Sequence, residues 1–502
     1  MVAHINTVAF QGITPKTIDV QVHIASGLPA FSIVGLPDKA VGESKERIRS
    51  AMNSLGLSLP PSRMTVNLAP ADVIKEGSHY DLAIALGLMI EMNVLKNEEL
   101  ADYVVLGELS LDGSVTTVAG TLPAAIHAAS IGKGIICPVK NGSEACWAGE
   151  IEILAASNLL ELINHFKGTQ VITPPAIKFD EAANTNYPDL RDIKGQESAK
   201  RALEVAASGN HNMLMTGPPG SGKSMLASRL PGIIPELSST EMLDVSMIES
   251  ISNNLENGKI KRSRPFRDPH HSCSMAAMIG GGKRAIPGEI TLAHNGVLFL
   301  DELPEFPRQV LDSLRQPLET GQVTVSRVNA HVTYPANFQL VAAMNPCRCG
   351  YLGDAGRACN KAPKCAVDYQ SKISGPLFDR IDIHIEVPPV TPMDLSKEPA
   401  KEGSAEVLQR VKTARAIQAK RYEGLNITTN SQADGEILLQ VASPDNEGKK
   451  ILDTAYEKMG LSMRGYNRVL RVARTIADMQ DNEKVKKEHI WEALSYRKVN
   501  LK

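Results

Sequence analysis

The sequence lacks an excess of charge of either sign. Its 502 residues include 54 lysines and arginines and 56 aspartates and glutamates, giving a formal net charge of −2. A protein that attracts nucleic acid through its whole surface carries a large positive charge. Any nucleic-acid surface on this chain must therefore be local.

Long apolar runs and a secretory leader are also missing. The apolar stretch 82–90 is too short to span a bilayer, which takes about 20 such residues. The first residues show no basic start, apolar core or cleavage site of a signal peptide. We therefore expect a cytoplasmic protein with no membrane partner. Cysteines number only seven, and in a reducing compartment they favour free thiols or metal ligands over disulfides.

The clearest motif is GPPGSGKS at residues 217–224, which fits the phosphate-binding pattern G-x-x-x-x-G-K-[ST]. It lies between the apolar run 213–215, a predicted strand, and the helix-compatible stretch 225–230. Backbone N–H groups at such a turn can surround a triphosphate, and glycines allow the close approach. The candidate nucleotide-binding residues are Gly217, Pro218, Pro219, Gly220, Ser221, Gly222, Lys223 and Ser224. We expect Lys223 to contact the β- and γ-phosphates of ATP and Ser224 to bind Mg²⁺. A Gly-rich surface loop is the alternative.

A second motif supports the nucleotide interpretation. The apolar run 297–300 predicts a buried parallel strand, and it ends in Asp301 and Glu302, 77 residues after Ser224. Asp301 is expected to hold Mg²⁺, and Glu302 to orient and deprotonate the attacking water. A strand followed by a solvated acidic turn is the competing interpretation.

Length predicts three or four domains of about 150 residues each. Residues 1–166 alternate predicted strands and helices, as in an α+β or α/β domain, and contain no phosphate loop. Residues 167–190 and 389–403 are Pro-containing predicted linkers, which leaves an α/β ATPase core at 191–388. Residues 404–502 have helical periodicity throughout.

Three arginine and lysine positions are candidate DNA contacts. Lys283 and Arg284 follow three glycines in a flexible basic turn, and Arg327 lies near the tip of a hairpin predicted for residues 321–335. Ordinary solvated side chains are the alternative for all three. Nearby, His270 and His271 are expected to be structural and not metal ligands.

Four cysteines, Cys347, Cys349, Cys359 and Cys365, fall within nineteen residues. Such a cluster in a reducing compartment favours a structural zinc site with four thiolate ligands. The spacing C-x-C and C-x₅-C departs from the usual pairs, so reduced loop cysteines remain the alternative.

Two segments of the first block resemble the proteolytic domain of Lon. They are 67–82, with NLAPAD and KEGSHYDL, and 107–123, with GEL and VAGTLP. In this resemblance Asp81 occupies the position of the nucleophilic serine and Pro123 that of the lysine. A serine–lysine dyad needs both groups, so the resemblance implies a scaffold without peptidase activity, with Ser78 as a shifted alternative.

Nearly end to end, the chain resembles the magnesium-chelatase-like AAA+ ATPases of the ComM/YifB family. The resemblance rests on GQ at 195–196, PFRDPHH at 265–271, PGEI at 287–290 and SGPLFDRID at 374–382. It implies a fold with a Lon-like domain, an AAA+ core with a helix-two insert and pre-sensor hairpin, and a C-terminal helical lid. Asn345 resembles sensor 1, Arg380 an arginine finger acting on a neighbouring subunit, and Arg464 sensor 2.

Alternatives remain open at two of these arginines. Arg468 competes with Arg464 as sensor 2, and Arg380 could instead form a structural ion pair with Asp379 or Asp382. The resemblance implies a hexameric ATPase that uses ATP and Mg²⁺ and moves single-stranded or branched DNA, promoting branch migration in natural transformation. The competing functions are a chelatase-type remodelling ATPase and an inactive Lon-related scaffold.

Overall fold

The computed structural model describes residues 2–177, 187–255, 258–282, 285–327, 330–352, 356, 359–396 and 402–497, without the side chains of residues 327, 330, 331 and 395. It has mixed α/β architecture with two main sheets. Within the described residues, no helix combines the length and apolar character needed to cross a membrane.

The N-terminal block is built on a mixed seven-stranded sheet in the order β3-β4-β2-β1-β5-β8-β9. Antiparallel pairs join β1 to β2 and β2 to β4, and the remaining neighbours are parallel. The strands are β1 Ala3–Gln11, β2 Thr14–Ala25, β3 Ala30–Val34, β4 Arg63–Ala69, β5 Tyr103–Val105, β6 Glu108–Leu109, β7 Val115–Thr116, β8 Gly134–Pro138 and β9 Ile153–Ala156. The predicted alternating strand at 18–24 is confirmed as part of β2.

Helices cover this sheet. They are α1 Lys39–Ser54, α2 Asp81–Glu91, α3 Asn97–Leu100, α4 Thr121–Ser130, α5 Gly142–Ala145 and α6 Leu159–Phe166. Nearly every residue of α2 is buried, as its uninterrupted apolar sequence predicts for a helix packed on all sides. Asp38 and Asn158 cap α1 and α6 by accepting backbone N–H bonds.

The central block is a parallel five-stranded sheet in the order β11-β14-β17-β10-β18. Its strands β10, β14 and β17 are buried along their whole length. A strand of such a sheet is covered on both faces, which is why its sequence is an almost continuous apolar run. The strands of the block are β10 Met213–Thr216, β11 Phe266–Arg267, β12 Gly280–Gly281, β13 Ile286–Pro287, β14 Val297–Leu300, β15 Gln322–Arg327, β16 Ala330–Pro335, β17 Gln339–Met344 and β18 Ile383–Glu386. The carboxyl ends of β10, β14 and β17 therefore meet at one sheet edge, where ligands bind in such folds.

The helices of the central block are α7 Glu197–Gly209, α8 Lys223–Ala227, α9 Ser239–Ile251, α10 Met275–Ile279, α11 Glu289–Leu292, α12 Arg308–Ser313, α13 Pro317–Thr320, α14 Lys364–Gln370, α15 Gly375–Phe378 and α16 Pro392–Ser396. Two expectations need correction. The helix predicted at 311–318 is divided into α12 and α13, since Pro317 cannot donate a backbone hydrogen bond to continue it. The predicted linker 389–403 contains the short helix α16. The predicted hairpin is confirmed as β15 and β16.

Five helices form the C-terminal block, as the sequence predicts: α17 Ser404–Arg421, α18 Gly435–Ala442, α19 Asn446–Met459, α20 Met463–Met479 and α21 Lys487–Ser495. They share one apolar core with the central sheet. Gln418 Nε2 donates to Ser208 O at 3.0 Å, and His211 Nε2 lies 2.7 Å from Thr475 Oγ1, so polar contacts at the end of α7 fix α17 and α20.

The N-terminal block packs on α9 and on the hairpin of the central block. Gly120 N–H donates to Ser250 O at 3.1 Å, and the Ser250 hydroxyl donates to the buried carboxylate of Glu144. A Cβ on Gly12, in the β1–β2 turn, would come within 2.8 Å of Val332 Cγ1. The first block is therefore in direct contact with α9 and with the hairpin of β15 and β16.

Candidate functional site

The phosphate loop follows β10 and ends where α8 begins at Lys223. Gly220 and Gly222 have φ of 76° and 90°, backbone angles that favour glycine. Gly217 has no room for a side chain, because a Cβ there would lie 2.2 Å from Val387 O. The predicted strand–loop–helix is therefore confirmed, with glycines at the positions where the backbone demands them.

Lys223 is buried at the base of this loop. Its Nζ donates to Gly217 O at 2.8 Å and Pro218 O at 2.9 Å, and lies 3.3 Å from Asn345 Oδ1. Burial lowers the pKa of Lys223, while the carboxylates of Asp301 and Glu302 act in the opposite direction. The ammonium group is thus held between the loop and the ends of the two neighbouring strands, where a bound phosphate would be.

The acidic pair lies next to the phosphate loop. Ser224 Oγ donates to Asp301 Oδ2 at 2.6 Å, which places a hydroxyl and a carboxylate oxygen together at the start of α8. Oxygen ligands of this kind suit Mg²⁺, so the residues present fit the metal. Glu302 donates its N–H to Asp301 Oδ1 at 2.8 Å and adopts a left-handed backbone with φ of 52°. Its side chain is 51% exposed, and Oε2 lies 3.4 Å from His271 Nδ1.

Asn345 follows β17, which pairs in parallel with β10, the strand before the phosphate loop. Gln196, in the GQ motif, makes two side-chain contacts that the sequence did not predict. Its Nε2 donates to Pro388 O at 2.6 Å and to Ser221 O at 3.3 Å, tying the phosphate loop to the end of the core. A left-handed φ of 60° at Gln196 sets the direction of this side chain.

The two candidate arginines meet on one carboxylate that sequence reasoning missed. Glu319, at the end of α13, forms an ion pair with Arg380 and lies 3.7 Å from Arg464. Arg380 is 5% exposed and also donates to Pro376 O at 2.5 Å. The Arg380 hydrogen bond lowers the pKa of Glu319, with smaller effects of Arg464. The partner of Arg380 is thus neither Asp379 nor Asp382, the two acids weighed from sequence.

Arg468 belongs to a different, buried cluster. It forms an ion pair with Asp382 and donates to Arg380 O at 3.0 Å. Burial opposes ionisation of Asp382, but the charges of Arg468 and His211 outweigh it and lower its pKa well below the usual range. The Arg468 guanidinium is therefore committed to holding α20 on the core, whereas the side chain of Arg464 is 62% exposed.

The cysteine cluster lies beside the phosphate loop. The sulfur atoms of Cys347, Cys349 and Cys365 lie within 4.8 Å of one another, and Cys359 Sγ is 3.4 Å from Cys365 Sγ. Zn–S bonds of about 2.3 Å in a tetrahedron separate sulfurs by about 3.8 Å, so the thiols of Cys347, Cys349 and Cys365 are close enough to share one zinc ion. Backbone N–H donation from Tyr351, with help from Cys347, lowers the pKa of Cys349 to about 6.

The loop of this cluster contacts the phosphate loop directly. Gly350 has φ of 86°, and a Cβ there would lie 2.5 Å from Pro219 Cδ. The candidate DNA contacts Lys283 and Arg284 lie outside the described residues, as does the side chain of Arg327, whose backbone ends β15.

Asp81 and Pro123, at the positions matched to the Lon dyad, are both buried in the fold. Asp81 is fully buried and receives bonds from Arg47 Nε at 2.6 Å and Leu109 N at 3.3 Å. Pro123 is buried in α4. Ser78 donates to Glu108 Oε2 at 2.5 Å, a carboxylate and not an amine. This arrangement supplies an ion pair at Asp81 and a hydrogen-bonded serine at Ser78, and neither Asp81 nor Pro123 provides the hydroxyl or the amine of a dyad.

Comparison with protein families defines the class of the chain. Residues 189–395 match the family described as magnesium chelatase, subunit ChlI; residues 20–141 match subunit ChlI of Mg-chelatase, and residues 401–497 its C-terminal part. Together with the phosphate loop and acidic strand, these matches define a magnesium-chelatase-like AAA+ ATPase, a class that uses ATP and Mg²⁺.

Individual relatives narrow the assignment. The chain is 43% identical to the uncharacterized protein YifB of Escherichia coli over 99% of this chain and 97% of that protein. It is 42% identical to the competence protein ComM of Haemophilus influenzae over 97% of this chain and 96% of that protein. The magnesium-chelatase 38 kDa subunit of Rhodobacter capsulatus is 25% identical over 59% of this chain and 83% of that protein. The chain belongs to the ComM/YifB family.

Proposed function

We propose that the chain is an ATP-driven DNA motor that works as a hexameric ring and promotes branch migration during recombination of incoming single-stranded DNA. The observation that carries the proposal is the joint placement of Lys223, Ser224, Asp301, Glu302 and Asn345 at one sheet edge, in a chain matched end to end by a competence protein. An inactive scaffold would have no use for this complete set.

In the proposed reaction, Lys223 and the loop N–H groups bind the phosphates, and Ser224 with Asp301 holds Mg²⁺. Glu302 accepts a proton from the attacking water. At the same time the water oxygen bonds to the γ-phosphorus, and the bond between the γ-phosphorus and the ADP oxygen breaks. Asn345 orients that water. The developing negative charge is met by arginine side chains of a neighbouring subunit.

Arg380 and Arg464 are proposed to supply that charge together. Because both lie on Glu319, they belong to one surface and would reach the same nucleotide. If Arg380 acts on the neighbouring subunit, Arg464 must do so as well. Glu319 would hold the two guanidinium groups ready, and the better exposed Arg464 would engage the phosphate first.

A mixing experiment tests this arrangement. Glu302→Gln and Arg464→Ala are each expected to be inactive alone. Mixed rings should recover ATP hydrolysis, since an Arg464→Ala subunit keeps an intact Glu302 and receives Arg464 from its Glu302→Gln neighbour. A mixture that stays inactive, although wild-type rings hydrolyse ATP, would show that Arg464 acts within its own subunit.

Zinc is proposed to hold the loop of the cysteine cluster against the phosphate loop. The support is the cluster of the Cys347, Cys349 and Cys365 thiols, with Cys359 next to Cys365, and the contact of Gly350 with Pro219. Four thiolates would leave no open position for water, so the metal would be structural.

A chelatase-type ATPase is the second candidate, favoured by the family matches over all three blocks. Stimulation of ATP hydrolysis separates the two. Single-stranded or forked DNA should raise kcat if the chain is a DNA motor, and the Glu302→Gln variant should show no hydrolysis with any DNA. A kcat unaffected by DNA would refute the DNA motor and leave remodelling of a protein or porphyrin partner.

A further inference from the structure

The carboxylate of Glu319 contacts both proposed trans-acting arginines through one oxygen atom. Glu319 Oε1 forms the ion pair with Arg380 and lies 3.7 Å from Arg464 Nη2. Two positive groups beside one oxygen repel each other, and the negative charge of the carboxylate offsets that repulsion. Without Glu319 the two guanidinium groups would separate, and each would face the neighbouring nucleotide from a different direction.

Arg380 depends on Glu319 more than Arg464 does, because the Arg380 side chain is buried. One of its amino groups donates to Pro376 O at 2.5 Å, and its Nε has no hydrogen-bond acceptor in the described part of the chain. A buried cation needs a counter-charge, which Glu319 supplies from a side chain that is 45% exposed. The direction of the Arg380 guanidinium is therefore set by a carboxylate that lies at the surface.

Glu319 also belongs to the base of the hairpin formed by β15 and β16. Helix α13, which carries Glu319, runs directly into β15, whose first residue is Gln322. Thr320 Oγ1 donates to Gln322 O at 3.2 Å, and the N–H of Ala336, just after β16, donates to Gly321 O at 2.7 Å. These bonds join α13 and both hairpin strands into one unit, so a displacement of the hairpin moves the Glu319 carboxylate with it.

We infer that Glu319 is a positioning residue that couples the hairpin of one subunit to the orientation of Arg380 and Arg464. The inference rests on the proposed function and deepens it, because it names the group that controls the two arginines. Glu319 would act through their guanidinium groups and would not contact ATP. When the hairpin engages DNA, movement of its base would carry Glu319 along and change how the arginines meet the γ-phosphate held by the neighbouring subunit.

The first test is steady-state ATP hydrolysis with and without single-stranded DNA, using full-length wild type, Glu319→Ala, Glu319→Gln and Glu447→Ala. Glu319→Ala is expected to lower kcat by about 10- to 100-fold with KM for ATP unchanged, since misplacing a catalytic group by about 1 Å can cost that much. DNA should stimulate it by a smaller factor than wild type. Glu319→Gln keeps an acceptor oxygen at the same side-chain length and should recover part of the rate. Glu447→Ala removes an exposed ion pair with Lys487 and should behave as wild type.

Mixed rings separate positioning from a merely structural effect. A Glu319→Ala subunit keeps an intact Glu302 and receives correctly oriented arginines from a Glu302→Gln neighbour, so the mixture should recover ATP hydrolysis. A Glu319→Ala subunit that had lost its fold would not be rescued in this way. Failure of the Glu319→Ala mixture, while Arg464→Ala is rescued by the same Glu302→Gln partner, would overturn the inference.

A Glu319→Ala kcat equal to or above that of wild type would also overturn the inference. A lowered kcat with the full wild-type stimulation by DNA would reject the coupling to the hairpin. If DNA stimulates none of the proteins while Glu319→Ala still shows a lowered kcat and an unchanged KM, the DNA motor fails and the positioning of the arginines by Glu319 stands. The two claims are therefore separable.

Discussion

Replacing Arg464 should lower the rate of ATP hydrolysis, and replacing Arg468 should lower the stability of the fold. The two arginines are one helical turn apart on α20, yet they lie in opposite environments. Arg468 is 13% exposed and pairs with an aspartate, Asp382, that is 3% exposed. Arg464 is 62% exposed and its contact with Glu319 is 3.7 Å long.

Removing one partner of a buried ion pair costs about 3–5 kcal/mol, because the other charge is left without compensation. Arg468→Ala should therefore lower the free energy of unfolding by that amount. With a urea m-value of about 3 kcal/mol/M for a unit of this size, the midpoint falls by about 1–1.7 M. The double variant Asp382→Asn, Arg468→Ala should recover part of the loss, since no unpaired charge remains buried.

Arg464→Ala should leave the unfolding midpoint within about 0.3 M of wild type, since exposed pairs are worth about 0–1 kcal/mol. Its kcat should fall by about 100-fold or more, as expected when a positive charge is lost from a phosphoryl-transfer transition state. The assays are urea unfolding followed by circular dichroism and ATP hydrolysis at saturating ATP. An Arg464→Ala variant with normal kcat, beside a stable Arg468→Ala variant that cannot hydrolyse ATP, would refute the assignment.

Three further predictions concern the loop, the acid response and the metal. Gly217→Ala should abolish ATP binding in a titration, because its Cβ would lie 2.2 Å from Val387 O, while Gly220→Ala has open space and should retain weak binding. Burial, aided by Arg497, lowers the pKa of His384 to about 3. Its pKa in the unfolded chain is about 6.5, so the folded state has its full stability from this residue above that pH. Below it, the unfolded chain binds a proton that the folded chain does not, and the free energy of unfolding falls by about 1.4 kcal/mol per pH unit. Urea unfolding at pH 7.5 and 5 should show a smaller loss for His384→Gln; an equal loss would contradict this. Purified wild type should contain about one zinc per chain by metal analysis, and Cys349→Ser should contain much less. Cys349→Ser should also bind ATP more weakly when both proteins are assayed with Mg²⁺ present. A wild type without zinc would reject the site.

Motifs with local geometry were predictable from the sequence. The buried strands that end immediately before Gly217, Asp301 and Asn345 are largely apolar runs. Because each run is followed directly by a candidate site residue, the strand and the residue are predicted together. The C-terminal helices were predictable for the same reason, since their periodicity is local. Ser462 also marks the start of α20 by accepting from Gly465 N.

Contacts between distant segments were not predictable in this way. Glu319 precedes the hairpin with no pattern around it, and only folding brings it to Arg380 and Arg464. The contact of His271 with Glu302 was not predictable either, because the sequence gives no sign that β11 pairs beside β14. A resemblance supplies residue types at matched positions, and the partners of those residues come from tertiary structure.

In the proposed function, ATP hydrolysis at the Lys223–Glu302 site moves DNA. The most direct measurement is ATP-dependent migration of a fluorescently labelled three-way DNA junction, with wild type and Glu302→Gln compared at equal ATP and Mg²⁺. Wild type is expected to resolve the junction, whereas Glu302→Gln should bind ATP and leave the junction intact. A wild type that hydrolyses ATP at its full rate while the junction remains unmoved would contradict the DNA motor.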